Sequence, residues 1–371
     1  MAGIYIHIPF CAKRCIYCGF FSTVREGEAA RYVDAVCREL ELRKDYLQGV
    51  PVRTVYFGGG TPSRLNPEQL GRIISSIDSV FGLNALEELT VECNPDDITP
   101  AYLSALKDLG VNRISMGVQT FNDEMLRFLH RRHTATQALD AVRICRESGI
   151  TNISIDLMYG LPGQTLEMFQ SDLEAALSAD VQHISSYCLS YEDGSPLKRM
   201  LSEHKVAPAT DELCSSMFAF MCQTLHDAGF DHYEISNFSK PCYHSRHNSS
   251  YWDGTPYLGL GAAAHSYDGT SRQWNPSDLD AYMKGIEHGT LQFEIENLSA
   301  KDLYNEKLML SLRTTKGLNL STLHSQDRLS VLQSAETLIN NGSLLLEDNH
   351  LLIPESCMFI SDTLISTLFK S

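Results

Sequence analysis

Hydrophobic and polar positions in the first half of the chain follow two alternating periods. Six short apolar runs rich in β-branched residues predict strands, and stretches of helical length separate most of them. The strands are expected at residues 4–8, 53–57, 89–92, 113–118, 152–157 and 183–187. Six alternations of strand and helix predict right-handed crossovers and a parallel sheet, either doubly wound or curled toward a barrel. In both architectures ligands gather at the carboxyl ends of the strands.

Helix boundaries can be predicted from capping residues. Asn66, Pro67 and Gln69 form a capping-box pattern ahead of an apolar stripe that stops at Gly82. A second helix is expected after Thr99, which is followed by proline and a leucine stripe.

The regular alternation of predicted strands and helices ends after about residue 195. A helix is predicted at 211–228, followed by a loop-rich stretch over 229–275 that is dense in aromatic residues, glycine and histidine. From residue 299 onward two helices and a pair of strands predict a small α+β module, a pattern compatible with a winged helix. The expected organisation is a partial barrel over 1–195, a barrel-completing, loop-rich region over 196–298 and a small terminal domain over 299–371.

Charge and composition exclude several function classes. The chain has 371 residues, with 30 Lys+Arg against 46 Asp+Glu, so its formal net charge is −16 and a broad nucleic-acid or acidic membrane surface is disfavoured. No apolar run approaches the length of a membrane helix, and the N-terminus lacks the pattern of a signal peptide. A cytoplasmic protein without stable membrane insertion is expected. Eleven scattered cysteines indicate reduced thiols.

The strongest chemical signal is a group of three cysteines directly after the first predicted strand. Cys11, Cys15 and Cys18 stand in Cys-Ala-Lys-Arg-Cys-Ile-Tyr-Cys. Structural zinc sites close with four ligands in two separated pairs, and no second close pair exists here. Three thiolates instead fit three irons of a [4Fe–4S] cluster and leave the fourth iron open. A zinc-stabilised binding protein is the alternative that these residues leave open.

Other predicted strands also end in residues suited to a ligand. The second is followed by Gly-Gly-Gly-Thr-Pro over 58–62, whose backbone can approach a ligand closely, although an ordinary tight turn has the same sequence. Glu92, Gln119 and Asp156 lie at or after the ends of the next three strands. Each residue alone is typical of a solvated or helix-capping position. Together, at the carboxyl edge of one parallel sheet, the three residues predict a ligand-binding site.

The cysteine loop resembles that of the radical S-adenosylmethionine superfamily, in which an aromatic residue such as Tyr17 precedes the last cysteine. The resemblance implies that the open iron binds the amino and carboxylate groups of S-adenosylmethionine. It also implies that the reduced cluster can cleave this cofactor to methionine and a 5′-deoxyadenosyl radical.

Further motifs resemble the oxygen-independent coproporphyrinogen III oxidase family over nearly the whole chain. They are the glycine segment, Glu-Cys-Asn-Pro at 92–95, Asn-Arg-Ile-Ser-Met-Gly-Val-Gln at 112–119 and Ile-Asp-Leu-Met-Tyr-Gly-Leu-Pro at 155–162. The resemblance implies a partial six-unit (β/α) barrel. It also implies an S-adenosylmethionine site formed by Tyr5, Tyr17, Gly59, Gly60, Thr61, Glu92, Gln119, Arg131, Asp156 and Ser190.

Two departures distinguish the chain from the oxidase branch of that family. Phe20 stands where the oxidases carry a further cysteine, and only ten residues precede Cys11 where they carry an N-terminal extension. The chain is more similar to the HemW-type heme chaperone branch, which implies heme and recipient hemoproteins as partners. The alternative function is oxidative decarboxylation of coproporphyrinogen III propionates to vinyl groups.

The chaperone branch is marked by His-Asn-x-x-Tyr-Trp, present here from His247 to Trp252. The resemblance implies that His247, expected in a loop, binds heme iron axially while Tyr251 and Trp252 pack on the macrocycle. His244 and His265 are nearby alternatives for the same role.

A glycine motif near residue 260 resembles a dinucleotide fingerprint. Gly259, Gly261 and Ala264 have the spacing, and Asp278 and Asp280 follow about twenty residues later. The preceding segment lacks a clean strand pattern and the following one is turn-like, so a packed glycine-rich connection is expected instead.

Overall fold

The computed structural model describes residues 1–370. Its first half contains six strands, each followed by one or two helices. These elements are β1 (Ala2–Ile8), α1 (Ala29–Leu42), β2 (Val52–Gly59), α2 (Pro67–Phe81), β3 (Glu88–Cys93), α3 (Pro100–Asp108), β4 (Arg113–Gln119), α4 (Asp123–Phe128), α5 (Ala135–Glu147), β5 (Asn152–Tyr159), α6 (Leu166–Ser178), β6 (His183–Cys188), α7 (Pro196–Ser202) and α8 (Asp211–Asp227). All six predicted strands are present, with ends shifted by at most two residues.

The remaining elements are shorter. They are β7 (Asp231–Glu234), β8 (Asn237–Ser239), α9 (Arg246–Trp252), β9 (Tyr257–Leu260), β10 (His265–Tyr267), β11 (Ser271–Trp274), α10 (Leu279–Glu287), β12 (Glu294–Asn297), α11 (Ala300–Leu312), β13 (Leu318–Asn319), α12 (Ser325–Asn340), β14 (Leu345–Glu347), β15 (His350–Leu352) and α13 (Ser361–Ser366).

Strands β1 to β12 form a single sheet with β1 to β6 side by side in chain order. All five pairings among these six strands are parallel. Each unit therefore lies next to the preceding one, as in a (β/α) barrel, whereas a doubly wound sheet reverses its order at a switch point. The strand order supports the partial six-unit barrel that the resemblance implied.

The two faces of the parallel strands differ in chemistry. On β1, Ile4, Ile6 and Ile8 are fully buried in the apolar cluster that includes Val36 and Leu40 of α1. The alternate positions carry polar side chains, because successive residues of a strand point to opposite faces. These inward positions include a buried glutamate, a buried arginine and two buried histidines, namely Glu88, Arg113, His7 and His183. The interior beneath the strand ends is consequently polar.

Capping residues position the helices as predicted. The Asn66 side chain accepts a hydrogen bond from the Gln69 N–H at 2.9 Å, and the Gln69 side chain accepts one from the Asn66 N–H at 3.0 Å. The helix ends at Gly82, whose φ of 70° is accessible to glycine. The Thr99 side chain caps α3 by accepting a hydrogen bond from the Tyr102 N–H at 3.2 Å.

The segment over residues 229–275 is rich in loops, as expected, but it also contains short regular elements that were not predicted. This segment contains α9 and five strands, and it extends the sheet on both sides: β8 pairs antiparallel with β6, whereas β9 pairs parallel with β1. Strands of three or four residues are too short to show a two-residue period, and the glycines and aromatic residues between them are typical of turns.

The glycine motif lies in this segment. Tyr257–Leu260 is a strand, contrary to expectation, but another strand follows rather than a helix, so the context of a dinucleotide fingerprint is missing. A Cβ atom on Gly259 would overlap the backbone carbonyl of His265. The glycine therefore allows two strands to approach closely.

The terminal module contains the two helices and the strand pair that the sequence predicts. Strands β13, β15 and β14 form a separate three-stranded sheet in that order. The β14–β15 hairpin turns through Asp348 and Asn349, both with positive φ. The winged-helix interpretation and the divisions near residues 195 and 298 stay predictions. Within residues 1–370, we find no helix that combines the length and the apolar character needed to cross a bilayer.

Candidate functional site

A cavity of about 620 Å³ lies at the carboxyl ends of the parallel strands. We call it the cluster cavity, because it contains the three cysteines of the predicted cluster site. Twelve of the fourteen predicted site residues line it: Cys11, Cys15, Tyr17, Cys18, Gly59, Gly60, Thr61, Glu92, Gln119, Arg131, Asp156 and Ser190. The other two, Tyr5 and His247, lie elsewhere. Strand ends that are distant in sequence thus converge on one chamber, as expected for parallel strands.

The cysteine loop joins the end of β1 to α1. The Cys11 N–H donates to the Thr23 carbonyl at 2.8 Å, which holds the two ends of the loop together. Thr61 donates its hydroxyl to the Cys11 sulfur at 3.4 Å, and Arg131 donates to the Cys15 sulfur at 3.5 Å. Burial raises the pKa values of the Cys11 and Cys18 thiols, so metal loading must release protons.

The three cysteine sulfurs do not all lie close enough together to surround a single zinc ion without rearrangement. Among residues 1–370, the group whose three ligand atoms all lie within 4.8 Å of one another is Cys222, His232 and Glu355, away from this cavity. The cysteine loop is not such a group. Tetrahedral zinc, with bonds of about 2.3 Å to sulfur, needs its ligands closer together than that, whereas a four-iron cluster separates its thiolates more widely.

The glycine segment forms the adjoining wall of the cluster cavity. The Gly60 N–H donates to the Ile8 carbonyl at 2.8 Å, which ties the end of β2 to the end of β1. A Cβ atom on Gly60 would lie 2.8 Å from that carbonyl oxygen, and Gly59 has a φ of 104°. The segment is therefore a tight turn whose backbone, free of side chains at Gly59 and Gly60, lines the cavity beside the cysteines.

Two half-buried carboxylates face the cluster cavity. Glu92 accepts a hydrogen bond from the Tyr56 hydroxyl at 2.7 Å, and burial, reinforced by the charge of Asp156, raises the pKa of Glu92 to about 7. Burial likewise raises the pKa of Asp156 to about 6. A cationic ligand would stabilise the ionised forms of both groups. This pair fits the positive charge of S-adenosylmethionine.

Arg131 connects the cysteine loop to the neighbouring strand ends. It donates to the Asn94 side chain at 2.7 Å and to the Gly117 carbonyl, and its Nε is buried without a partner among residues 1–370. Gln119 follows a β-bulge and has a φ of 75°, a strained conformation at the cavity wall. A buried, unpartnered N–H and strained backbone are both typical of a ligand site.

Sequence reasoning missed several residues of the cluster cavity. Asn94 links Arg131 to Thr61, whose hydroxyl accepts from the Asn94 amide at 3.4 Å. Its position just after β3, in the Glu-Cys-Asn-Pro motif, could have revealed it. Tyr187 and Cys188 at the end of β6 also line the cavity. Their signal was the same strand-end position that indicated the other residues.

The expectation that His247 lies in a loop is wrong. It is the second residue of helix α9, whose N-terminus packs into the polar interior. The Glu88 carboxylate accepts from the N–H groups of Arg246 and His247, at 2.8 and 3.0 Å, and so neutralises the start of the helix.

Both ring nitrogens of His247 are engaged inside the protein. Nδ1 lies 2.8 Å from the Thr54 hydroxyl and Nε2 lies 2.9 Å from the Tyr251 hydroxyl, and the side chain is 1% exposed. The ring stacks on Tyr56 with a centroid distance of 5.0 Å, and burial lowers its pKa to about 3. In this structure His247 does not present a nitrogen to a heme iron.

Tyr5 occupies the same interior rather than the cluster cavity. Its ring stacks on Tyr56 at 6.2 Å, and it lines a second cavity that shares Phe20 and Ser22 with the cluster cavity. Ser190 does line the cluster cavity, where its exposed hydroxyl donates to Glu192.

Known families agree with this fold and site. A family model described as the radical SAM superfamily matches residues 5–176, which include the cysteine loop, the glycine segment and both carboxylates. The structure described as coproporphyrinogen III oxidase (HemN) from Escherichia coli, a radical SAM enzyme, has a TM-score of 0.84. That alignment covers 100% of this chain and 90% of the other, at 23% identity. The fold and the site thus define a radical SAM protein.

Similarity to individual proteins shows which family of radical SAM proteins the chain belongs to. Heme chaperone HemW of Lactococcus lactis is 36% identical over 88% of this chain and 85% of that protein. Heme chaperone HemW of Mycobacterium tuberculosis is 32% identical over 99% of this chain and 94% of that protein. A zebrafish protein, mitochondrial radical S-adenosyl methionine domain-containing protein 1, is 34% identical over 85% of this chain and 74% of its own length. The chain belongs to the HemW heme chaperone family.

Proposed function

We propose that this protein is a radical SAM heme chaperone that binds heme and delivers it to recipient hemoproteins. The observation that carries the proposal is identity of 32% to a HemW heme chaperone over 99% of the chain, far beyond residues 5–176 of the superfamily match. Identity over the C-terminal half matters because that half lies outside the part common to radical SAM proteins.

Cys11, Cys15 and Cys18 would hold a [4Fe–4S] cluster, whose open iron supplies a binding point for S-adenosylmethionine and an electron for cleaving it. Thr61 and Arg131 would donate hydrogen bonds toward the cysteine sulfurs and stabilise their ionised state. The carboxylates in the cluster cavity would attract the cationic end of the nucleoside. The full set proposed for this cofactor is Tyr5, Tyr17, Gly59, Gly60, Thr61, Glu92, Gln119, Arg131, Asp156 and Ser190.

Different parts of the chain would perform different tasks. Residues 1–195 would carry the cluster and the nucleoside, residues 196–298 would complete the barrel and contribute to heme binding, and residues 299–371 would form a small accessory domain. A cytoplasmic location is part of the proposal, because the cluster needs reduced thiolates and a reducing compartment maintains them.

Oxidation of coproporphyrinogen III is the second candidate function. It is favoured by the TM-score of 0.84 to a coproporphyrinogen III oxidase, although a likeness at 23% identity supports the fold alone. Phe20, exposed by 66%, occupies the position of the further cysteine in that branch. The chaperone is therefore the better supported function.

Two assays on one anaerobic preparation separate the candidates. The full-length protein, reconstituted with iron and sulfide, is titrated with hemin and is also incubated with coproporphyrinogen III, dithionite and S-adenosylmethionine. A Soret band without formation of protoporphyrinogen supports the chaperone. Turnover that disappears in Cys15→Ala would support the oxidase, and stoichiometric zinc without iron would support the zinc-stabilised alternative.

A further inference from the structure

A second cavity, of about 650 Å³, adjoins the cluster cavity along the cysteine loop. We call it the aromatic cavity because Tyr5, Phe20, Phe21, Tyr251 and Tyr257 contribute to its wall. Its volume falls within the range of about 300–1,000 Å³ that small-molecule and cofactor sites occupy. Flat aromatic ligands are bound by surfaces of this composition, since ring faces pack against one another.

Phe20 connects the two cavities. It lines both of them, and its side chain is 66% exposed. An exposed ring between two chambers offers a stacking face to a macrocycle.

The charge of the aromatic cavity suits an anionic ligand. No aspartate or glutamate lines it, although the chain carries an excess of sixteen acidic residues. Arg14 lies on its wall and forms no ion pair within residues 1–370, its one side-chain hydrogen bond being to the Cys18 carbonyl at 3.4 Å. The guanidinium can therefore pair with a carboxylate of the ligand.

Two histidines face the aromatic cavity, and only one of them has free nitrogens. His7 is 4% exposed, its Nδ1 lies 3.2 Å from the Tyr5 hydroxyl and its Nε2 lies 2.9 Å from the Phe21 carbonyl. His265, on β10, is exposed and has no side-chain hydrogen bond in the part of the chain that the structure describes.

The surroundings of His265 suit a neutral imidazole ligand. Its ring stacks against Trp274 with a centroid distance of 5.8 Å and an interplanar angle of 24°, which fixes the ring plane. Partial burial and the charge of Arg272 lower its pKa below the usual value. Metal ligation requires the neutral ring.

Resting on the proposed heme-binding function, we propose that heme occupies the aromatic cavity, with His265 as its axial ligand instead of His247. One imidazole nitrogen of His265 coordinates the iron, Phe20 packs on the macrocycle, and Arg14 pairs with a propionate. The iron keeps its oxidation state on binding. Heme in this position would lie beside the cluster cavity. It would not reach the polar interior in which His247 is buried.

The test compares hemin titrations of the reconstituted full-length protein and of two single variants, His265→Ala and His244→Ala. His244 is a matched control, because it is also partly exposed and stacks on an aromatic ring, Tyr233, outside the cavity. We expect His265→Ala to lose the Soret and electron paramagnetic resonance signals of histidine-ligated heme. It should also bind hemin at least about tenfold more weakly, because changing even a residue that only supports a metal ligand lowers metal affinity by about that factor. Added imidazole should restore the signature.

A third titration uses protoporphyrin IX, which has no iron. Wild type and His265→Ala should bind it equally, whereas Phe20→Ala should bind both porphyrins more weakly. Iron and sulfide content and the thermal melting temperature show whether each variant is folded.

The outcomes separate the two proposals. If wild type binds no hemin, the proposed function fails. If it binds hemin and His265→Ala keeps the signature and affinity, the function stands and the assignment of His265 is refuted. If a folded, iron-loaded His247→Ala loses the signature, added imidazole restores it and His265→Ala keeps it, the axial role returns to His247.

Discussion

The two half-buried carboxylates of the cluster cavity predict how binding of S-adenosylmethionine depends on pH. The perturbation is Glu92→Gln, which keeps the shape of the side chain and the acceptor for the Tyr56 hydroxyl but removes the charge. A positively charged ligand binds best when Glu92 and Asp156 are ionised. Their raised pKa values therefore make affinity fall as the pH falls through 7 and 6.

The magnitude follows from these pKa values. With a pKa of about 7, Glu92 is ionised in about nine-tenths of molecules at pH 8 and in about one-tenth at pH 6, so it weakens binding about tenfold over that range. Asp156, with a pKa of about 6, contributes about another factor of two. Wild type should lose about twentyfold in affinity, whereas Glu92→Gln should lose only the share due to Asp156.

Equilibrium dialysis of S-adenosylmethionine against cluster-loaded protein measures this effect. The ligand and the cluster titrate equally in both proteins, so the difference between the two pH slopes isolates Glu92. Glu68→Gln is the control, because Glu68 is an exposed glutamate on α2 that forms no ion pair in the described chain. Equal slopes in wild type and Glu92→Gln, or affinity that rises toward low pH, would refute the reasoning.

Glu92 should also make the free energy of unfolding of the cluster-free protein depend on pH. Because the pKa of Glu92 is raised on folding, the folded state binds more protons than the unfolded state between pH 4.5 and about 7. Proton binding by Glu92 therefore stabilises the folded protein below pH 4.5, and this stabilisation is lost as the pH rises from 4.5 to about 7. Glu92→Gln should therefore be more stable than wild type at pH 8, by up to about 3 kcal/mol, and not at pH 4; urea titrations at both pH values measure it.

Three further predictions concern the same site. Cys15→Ala should abolish stoichiometric iron and sulfide after anaerobic reconstitution, and iron analysis measures this; an unchanged iron content would place the cluster elsewhere. Gly60→Ala should lower stability by about 1–3 kcal/mol, since its Cβ would meet backbone rather than a movable side chain, whereas Gly27→Ala, with open space around it, should not; urea unfolding compares the two. Arg131→Gln should weaken S-adenosylmethionine binding in equilibrium dialysis without preventing folding, because it removes the guanidinium that donates to the Cys15 sulfur and so disturbs the cluster whose open iron would bind the ligand; full retention of affinity would exclude that role.

The barrel was predictable because its signals are local. A strand such as β5 carries apolar residues at alternate positions, namely Ile153, Ile155 and Leu157, and helix α2 carries a complete capping box, so a short sequence window contains the information. The cluster cavity was predictable for a related reason. Parallel strands bring their carboxyl ends together, and residues such as Glu92 and Asp156 are identified by their place at those ends.

The region after residue 228 was harder to predict because its order depends on distant partners. Strand β9 has four residues and owes its place to parallel pairing with β1, more than 240 positions earlier in the chain. The environment of His247 arises in the same way. Its ring contacts Thr54 and Tyr56 of β2, and helix α9 is capped by Glu88 of β3. No local pattern distinguishes a buried histidine of this kind from an exposed one.

The buried His247 connects the His-Asn-x-x-Tyr-Trp motif to the wall of the cluster cavity. His247 is held by Thr54 and Tyr251 and packs its ring on Tyr56, and the Tyr56 hydroxyl donates to Glu92. The motif is thereby linked through one stacked ring to a carboxylate of the cofactor site. A change in this motif would shift Tyr56 and hence Glu92, so loss of heme binding in a His247 variant cannot by itself identify an iron ligand. His265 touches none of these groups through a side-chain hydrogen bond, which makes its substitution the cleaner test of where the iron binds.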